Sequence, residues 1–265
     1  MGLYNNRIVV KVGTSTLTND AGKSDLRTTD RLACVLSDIQ NMGYEVVLVS
    51  SGAIAVGRNK LNMTAKPDSM RMKQAAAAVG QCSLMYLYDK FFGDYDKTVA
   101  QILLNADDIE EEEKKENLIN TFNALLEMGV IPIVNENDSV SYKEIESEDR
   151  LFGDNDMLSA VVAVLCRAKH LVIFSDIDGF YDHDPRLYPN AQLIDQIDTI
   201  DDSVYALAGG AGSRRGTGGM RTKLQAASLA TSQGTNTIVT NGKRPEVLYD
   251  IVKVGRAGTL FPGKI

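Results

Sequence analysis

Lysine, aspartate and asparagine gather in a few short stretches of this chain, each beside glycine or serine. Lys11 opens the run Lys11-Val12-Gly13-Thr14-Ser15, and Ser50-Ser51-Gly52-Ala53 and Asn135-Glu136-Asn137-Asp138 follow it. Gly153-Asp154-Asn155-Asp156 and Ser175-Asp176-Ile177-Asp178-Gly179 are two further acidic turns. The stretch Gly209–Lys223 (GGAGSRRGTGGMRTK) holds six glycines and four basic residues in fifteen positions. Glycine turns that expose backbone N–H groups at a positive helix end bind anions. Lysines neutralise a phosphoryl group in transit, and a carboxylate holds such lysines in place. The combination suits phosphoryl transfer. On the acceptor side Asp and Asn abound and Arg is scarce. That mixture suits a free amino acid, with an ammonium group as well as a carboxylate; a phosphate monoester calls for an arginine fork.

The elements that must position these residues are legible as alternating apolar runs and helix patterns. Arg7–Val12, Glu45–Val49, Thr98–Leu104, Val130–Val134, His170–Phe174 and Asn236–Thr240 are apolar at nearly every position, as expected of strands covered on both faces. Between them, helices are expected over Thr28–Met42, Ser69–Phe92, Leu118–Met128, Met157–Ala168 and Met220–Ser232, three of them stopping just before a Gly. The acidic run Glu110–Glu116 reads as the solvated first turn of the third helix. Strand and helix alternating this often predict an α/β three-layer αβα sandwich around a central, mainly parallel sheet. In such a sheet ligands bind beyond the carboxyl ends of the strands, and four of the polar turns directly follow a strand. Ordinary capping of a βα turn accounts for any one of them alone. No GxxxxGK[ST] and no GxGxxG follows a strand, so the P-loop and Rossmann routes to a nucleotide are absent.

Composition narrows the class. The chain has 265 residues, 28 basic and 35 acidic, for a net charge of −7, with 44% hydrophobic residues. That balance belongs to a chain that buries a full core, and without a basic block it disfavours nucleic acid or an anionic membrane as partner. One domain over 1–265 is expected, with an acceptor lobe over about 1–168 and a nucleotide lobe over about 169–265. Cys34, Cys82 and Cys166 lie far apart without a CxxC, and with only His170 and His183 no structural zinc spacing exists; the cysteines read as small core residues on helices of a cytoplasmic protein. No signal peptide or run of about 18 apolar residues is present.

Assembled in order, Val10–Ser15, Val49–Ile54, Ile131–Asp138, Gly153–Asp156 and Gly216–Gln225 resemble the glutamate-phosphorylating branch of the amino acid kinase family. Ala78-Val79-Gly80-Gln81, Tyr181–Pro185 and Gly258-Thr259-Leu260-Phe261 fit as well. The resemblance implies ATP-dependent phosphorylation of the glutamate γ-carboxylate, giving an acyl phosphate that commits carbon to proline. By the same resemblance Lys11 and Lys223 neutralise the moving phosphoryl and Asp156 orients both. Gly13, Ser51 and Gly52 line the junction of phosphoryl and carboxylate. Asn135, Asp138, Asp154 and Asn155 hold glutamate. Ser175 and Asp176, with Thr217, Gly218, Gly219, Met220, Arg221, Thr222 and Lys223, bind ATP, and Lys11 and Gly13 touch its phosphates. Mg²⁺ is expected to ride on phosphate oxygens and water rather than in a protein cage.

Many bacterial members of this branch carry a C-terminal PUA module after the Gly-Thr-Leu-Phe motif; this sequence reads as the kinase domain alone. The resemblance also implies a homo-oligomer and feedback by proline, for which the segment Asn59–Lys73 is the candidate. Two alternatives stay open. One is a kinase for another small carboxylate (aspartate, carbamate or N-acetylglutamate), although N-acetylglutamate kinases look like K-x-G-G where this chain has Lys11-Val12-Gly13-Thr14. The other is a catalytically silent amino-acid sensor, which would be marked by loss of Lys11, Lys223 or Asp156.

Overall fold

A computed structural model describes residues 4–19, 23–140, 155–208 and 219–264. Asp154, Thr217 and Gly218 lie outside the described residues. From the amino end the elements run β1 (Tyr4–Val12), α1 (Thr14–Leu17), α2 (Leu26–Asn41), β2 (Glu45–Ser50), α3 (Ala53–Lys60), α4 (Met70–Gly93), β3 (Val99–Leu104), α5 (Asp107–Glu110) and α6 (Glu112–Glu127). Then follow β4 (Ile131–Glu136), α7 (Asn155–Leu165), β5 (Ala168–Ser175), α8 (Asp202–Ala208), α9 (Met220–Ser232), β6 (Asn236–Asn241), α10 (Val247–Val254) and β7 (Thr259–Phe261).

The chain divides into two compact units, Val12–Gly153 and Met1–Lys11 with Asp154–Ile265. The sequence placed the division near residue 168, whereas here β1 and α7 group with the carboxyl-terminal half because β1 pairs with β5. In the unit Val12–Gly153, β2 and β3 both pair with β4, in parallel. In the other unit β1, β5 and β6 are parallel neighbours and β7 adds an antiparallel edge. The α/β, mainly parallel architecture is therefore the expected one. Val46–Ser50 and Leu171–Ser175 are buried at every position, so both strand faces are covered, as a three-layer arrangement requires.

Small residues set the close packing of α3 on α4. A Cβ added to Gly57 would stand 1.7 Å from the carbonyl oxygen of Ala76, and one on Gly80 1.7 Å from that of Ala53. Neither position has room for a side chain, so the helices cross at backbone distance. That contact fixes the helix which follows the Ser51-Gly52 turn.

Three expectations need correction. The helix foreseen to Ala168 stops at Leu165, because Arg167 takes a left-handed φ of +50° and Ala168 is already in β5. The helix foreseen from Leu118 begins at Glu112, with Glu112 and Glu113 in its first turn, where acidic side chains meet the positive end of the dipole. Cys166 is buried, but Cys34 is only half-buried and Cys82 is exposed. The helical period turns Cys82 away from the face that buries Gly80 and Leu84.

Candidate active site

Parallel strands bring their carboxyl ends to one edge, and the helices that precede β5 and β6 bring their amino ends there. Lys11 is the penultimate residue of β1 and is in register with Ile173 of β5; Ser175 ends β5 opposite Asn241 of β6. Asp156 is in the first turn of α7, and Lys223 is in the first turn of α9. The topology alone thus collects a strand-end lysine, a helix-start carboxylate and a helix-start lysine.

Their side chains meet. Lys11 Nζ lies 2.7 Å from Asp156 Oδ1, and Lys223 Nζ lies 2.9 Å from Oδ2. The carboxylate is fully buried, and the two lysine side chains are 6% and 8% exposed. Thr222 Oγ1 donates to Asp156 Oδ2 at 3.0 Å, and Ser159 Oγ donates to the Asp156 carbonyl at 2.6 Å. Burial by itself would push the Asp156 carboxyl upward. The charges and hydrogen bonds of Lys11 and Lys223 outweigh it and hold the group below the usual carboxylate range. The helix dipole favours the same ionised form. Two ammonium groups thus meet on the two oxygens of one buried carboxylate.

The remaining nucleotide-side residues sit around the same edge. Gly219, in extended backbone, caps α9, and among the described residues nothing stands within 4 Å of the position its Cβ would take. Met220 begins the helix, and the exposed Arg221 stacks its guanidinium 5.5 Å from the Tyr205 ring centroid. Ser175 is buried and donates to Asp176 Oδ1 at 3.3 Å; Asp176 is exposed and pairs with Arg186 at 3.4 Å. Asn155 is the first residue of α7, next to Asp156. Asp154, Thr217 and Gly218 cannot be placed, as they fall outside the described residues.

The unit Val12–Gly153 holds the acceptor-side candidates other than Asp154 and Asn155, which belong to the other unit. Gly13 caps α1, accepting from the N–H groups of Thr16 and Leu17. Ser51 N–H donates to the Val12 carbonyl at 3.1 Å. Gly52 caps α3 at φ +98°, a left-handed conformation that demands glycine although a Cβ there would stand 3.6 Å from Thr14 Oγ1, at ordinary contact distance. Below this turn Ser50 and Tyr88 share a buried hydroxyl–hydroxyl hydrogen bond of 2.8 Å. Asn135 is buried at the end of β4. Its Oδ1 accepts from the N–H of Glu136 and its Nδ2 donates to Gln81 Oε1, both at 2.9 Å. Asp138 lies half-buried in the turn that follows. The sequence gives Gln81, in the Ala78-Val79-Gly80-Gln81 motif, no role of its own, and Tyr88 and Arg7 look like core and strand residues on spacing alone.

Residues 6–241 match the amino acid kinase family. This chain belongs to the amino acid kinase family. It is 55% identical over 258 residues to a glutamate 5-kinase of Clostridium perfringens, spanning 97% of this chain and 96% of the relative. It is 50% identical to a glutamate 5-kinase of Listeria innocua, spanning 97% and 93%. Among solved structures, carbamate kinase from Giardia lamblia bound to AMP-PNP superposes with a TM-score of 0.67 at 16% identity, covering 98% of this chain and 99% of that one. The last likeness speaks for the fold.

Proposed function

We propose that this chain transfers the γ-phosphoryl group of ATP to the γ-carboxylate of L-glutamate, giving L-glutamyl 5-phosphate, the first committed intermediate toward proline. The observation that carries the reading is the buried Lys11–Asp156–Lys223 group, with two cations on one carboxylate at the carboxyl edge of parallel strands. Similarity to glutamate 5-kinases across almost the whole chain supports the choice of substrate.

The γ-carboxylate of glutamate is ionised at neutral pH and needs no general base. One of its oxygens attacks Pγ, the bond from Pγ to the β,γ-bridging oxygen breaks, and ADP leaves with that electron pair. Lys11 and Lys223 neutralise the charge on the phosphoryl oxygens as they move between donor and acceptor. Asp156 keeps both ammonium groups in place. Gly219 to Lys223, with Thr217 and Gly218, wrap the polyphosphate, and Ser175 and Asp176 bind the nucleotide. Gly13, Ser51 and Gly52 serve the transferred phosphoryl and the γ-carboxylate. Asn135, Asp138, Asp154 and Asn155 hold the rest of glutamate, the carboxylates taking its ammonium.

Mg²⁺ bound together with ATP would supply charge neutralisation to the phosphate groups. Among the described residues no group of three or more His, Cys, Asp or Glu side chains stands together. No helix among the described residues is long and apolar enough to cross a membrane, and the reading places the enzyme in the cytoplasm. A homo-oligomer and feedback by proline belong to the same reading.

The test is ADP release with ATP and Mg²⁺ against glutamate, N-acetylglutamate, aspartate, carbamate and UMP in turn. Glutamate should give turnover and the others only background. A faster rate with any other acceptor would reassign the substrate, and nucleotide binding without turnover on any of them would favour the sensor.

A further inference from the structure

Arg7 is a buried cation, 2% exposed, that neither substrate binding nor the phosphoryl chemistry above employs. It stands on β1 four residues before Lys11. Both reach α7, at opposite ends. Lys11 meets Asp156 in the first turn, and Arg7 Nη1 donates to the carbonyl of Cys166 at 2.6 Å, one residue past the last turn. Tyr4 adds to the second end. Its N–H donates to the Arg167 carbonyl at 2.9 Å, and its ring lies 4.0 Å from the Arg7 guanidinium carbon.

The lengths agree. Four residues of strand span about 13 Å, and the ten steps from Asp156 to Cys166 span about 15 Å of helix. The charges agree too: a carboxylate occupies the positive end of α7 and a guanidinium caps the negative end. The register of β1 against β5 shifts between Tyr4 and Ile8, in the segment that carries this second attachment.

We propose that Arg7 is a positioning residue for Asp156: it fixes where α7 lies along β1, and so where the carboxylate meets Lys11 and Lys223. Arg7 touches no reacting atom. Without it α7 is held to β1 by charge at one end only, and a shift of about 1 Å at Asp156 is enough to slow transfer.

The test compares Arg7→Met, which removes cation and hydrogen bonds, with Arg7→Lys, which keeps a cation at the helix end. The kinetic readout rests on the glutamate kinase reading; a second readout, the pH titration of the Asp156 side chain by ¹³C NMR, does not. Arg7→Met should lower kcat about tenfold while both KM values stay within about twofold, and should move the Asp156 titration upward. Arg7→Lys should recover most of each change. An unchanged kcat and an unchanged Asp156 titration in folded Arg7→Met would overturn the proposal, as would Arg7→Lys behaving like Arg7→Met. Should Arg7→Met not fold, Arg7→Lys against the parent decides it: a titration shifted upward by less than a full unit supports the brace, and a shift as large as that of Lys11→Met contradicts it. If the parent phosphorylates no glutamate, the function is refuted and the titration still decides the brace.

Discussion

Lys11 and Lys223, at opposite ends of the sequence, place their ammonium groups on different oxygens of the same buried carboxylate, 2.7 and 2.9 Å away. A buried carboxylate is tolerated where cations pair with it, and here two do. In the proposed reading these two ammonium groups are what meets the moving phosphoryl group.

Lys223→Ala should therefore lower kcat by about 10²-fold or more, the scale of removing one charge stabiliser from a transition state. The glutamate KM should stay within about threefold, since the lysine serves the phosphoryl and not the acceptor. Steady-state kinetics with both substrates varied decide the point; a kcat close to that of the parent removes Lys223 from the chemistry.

Gln81 orients Asn135 by accepting from its Nδ2. Gln81→Leu removes one of the hydrogen bonds that hold that amide and should raise the glutamate KM about tenfold, the equivalent of one lost hydrogen bond to a buried group. Gln81→Glu keeps an acceptor at the same place and should cost much less. Equal glutamate KM values in Gln81→Leu and the parent would free Asn135 from this dependence.

Gly80→Ala puts a methyl group where the Ala53 carbonyl already stands, at 1.7 Å, and both partners are helix backbone. The helices must part, at about 3 kcal/mol or more, the upper range for overpacking. Urea unfolding should show a lowered midpoint. Gly93→Ala, where an added Cβ meets nothing, is the control and should be neutral or slightly stabilising.

His170 is an inner-strand histidine whose Nδ1 finds no hydrogen-bond partner among the described residues. Burial, with some repulsion from Lys169, pulls its pKa down to about 4. The folded state thus keeps it neutral where the unfolded chain binds a proton, so stability is full above pH 6.5 and falls as the pH drops from 6.5 towards 4. Over that window the loss from this residue should approach about 1 kcal/mol per pH unit. Denaturation at pH 7.5 and 5.5 should show His170→Gln losing less on acidification than the parent; an equal loss would place the acid sensitivity elsewhere.

Much of this was readable in advance, for physical reasons. Strands buried on both faces leave unbroken apolar runs, so five of the six foreseen strands fall within two residues of the observed bounds at either end, and β1 begins three residues early because Tyr4 already bonds to Arg167. Glycine at a helix end marks a stop, as Gly43 does at φ +92° after α2. The three residues of β7 are too few to show a period, and the left-handed turn at Arg167 has no glycine to announce it. Lys11, Asp156 and Lys223 stood out through the family resemblance of the motifs around them, since capping and the helix dipole account for a charged residue at such an end. Gln81, Tyr88 and Arg7 did not, because their work depends on partners distant in sequence, the amide of Asn135, the hydroxyl of Ser50 and the carbonyl of Cys166.

The central claim is that a carboxylate oxygen of glutamate receives the phosphoryl group, and trapping the product tests it most directly. With ATP, Mg²⁺, glutamate and hydroxylamine, an acyl phosphate is intercepted as γ-glutamyl hydroxamate, which iron(III) reveals by colour. The account predicts one hydroxamate formed per ADP released with the parent chain, and a rate collapsed in parallel for both products in Lys223→Ala. ADP released without hydroxamate would mean that the phosphoryl group goes somewhere other than a carboxylate, and the account would be wrong.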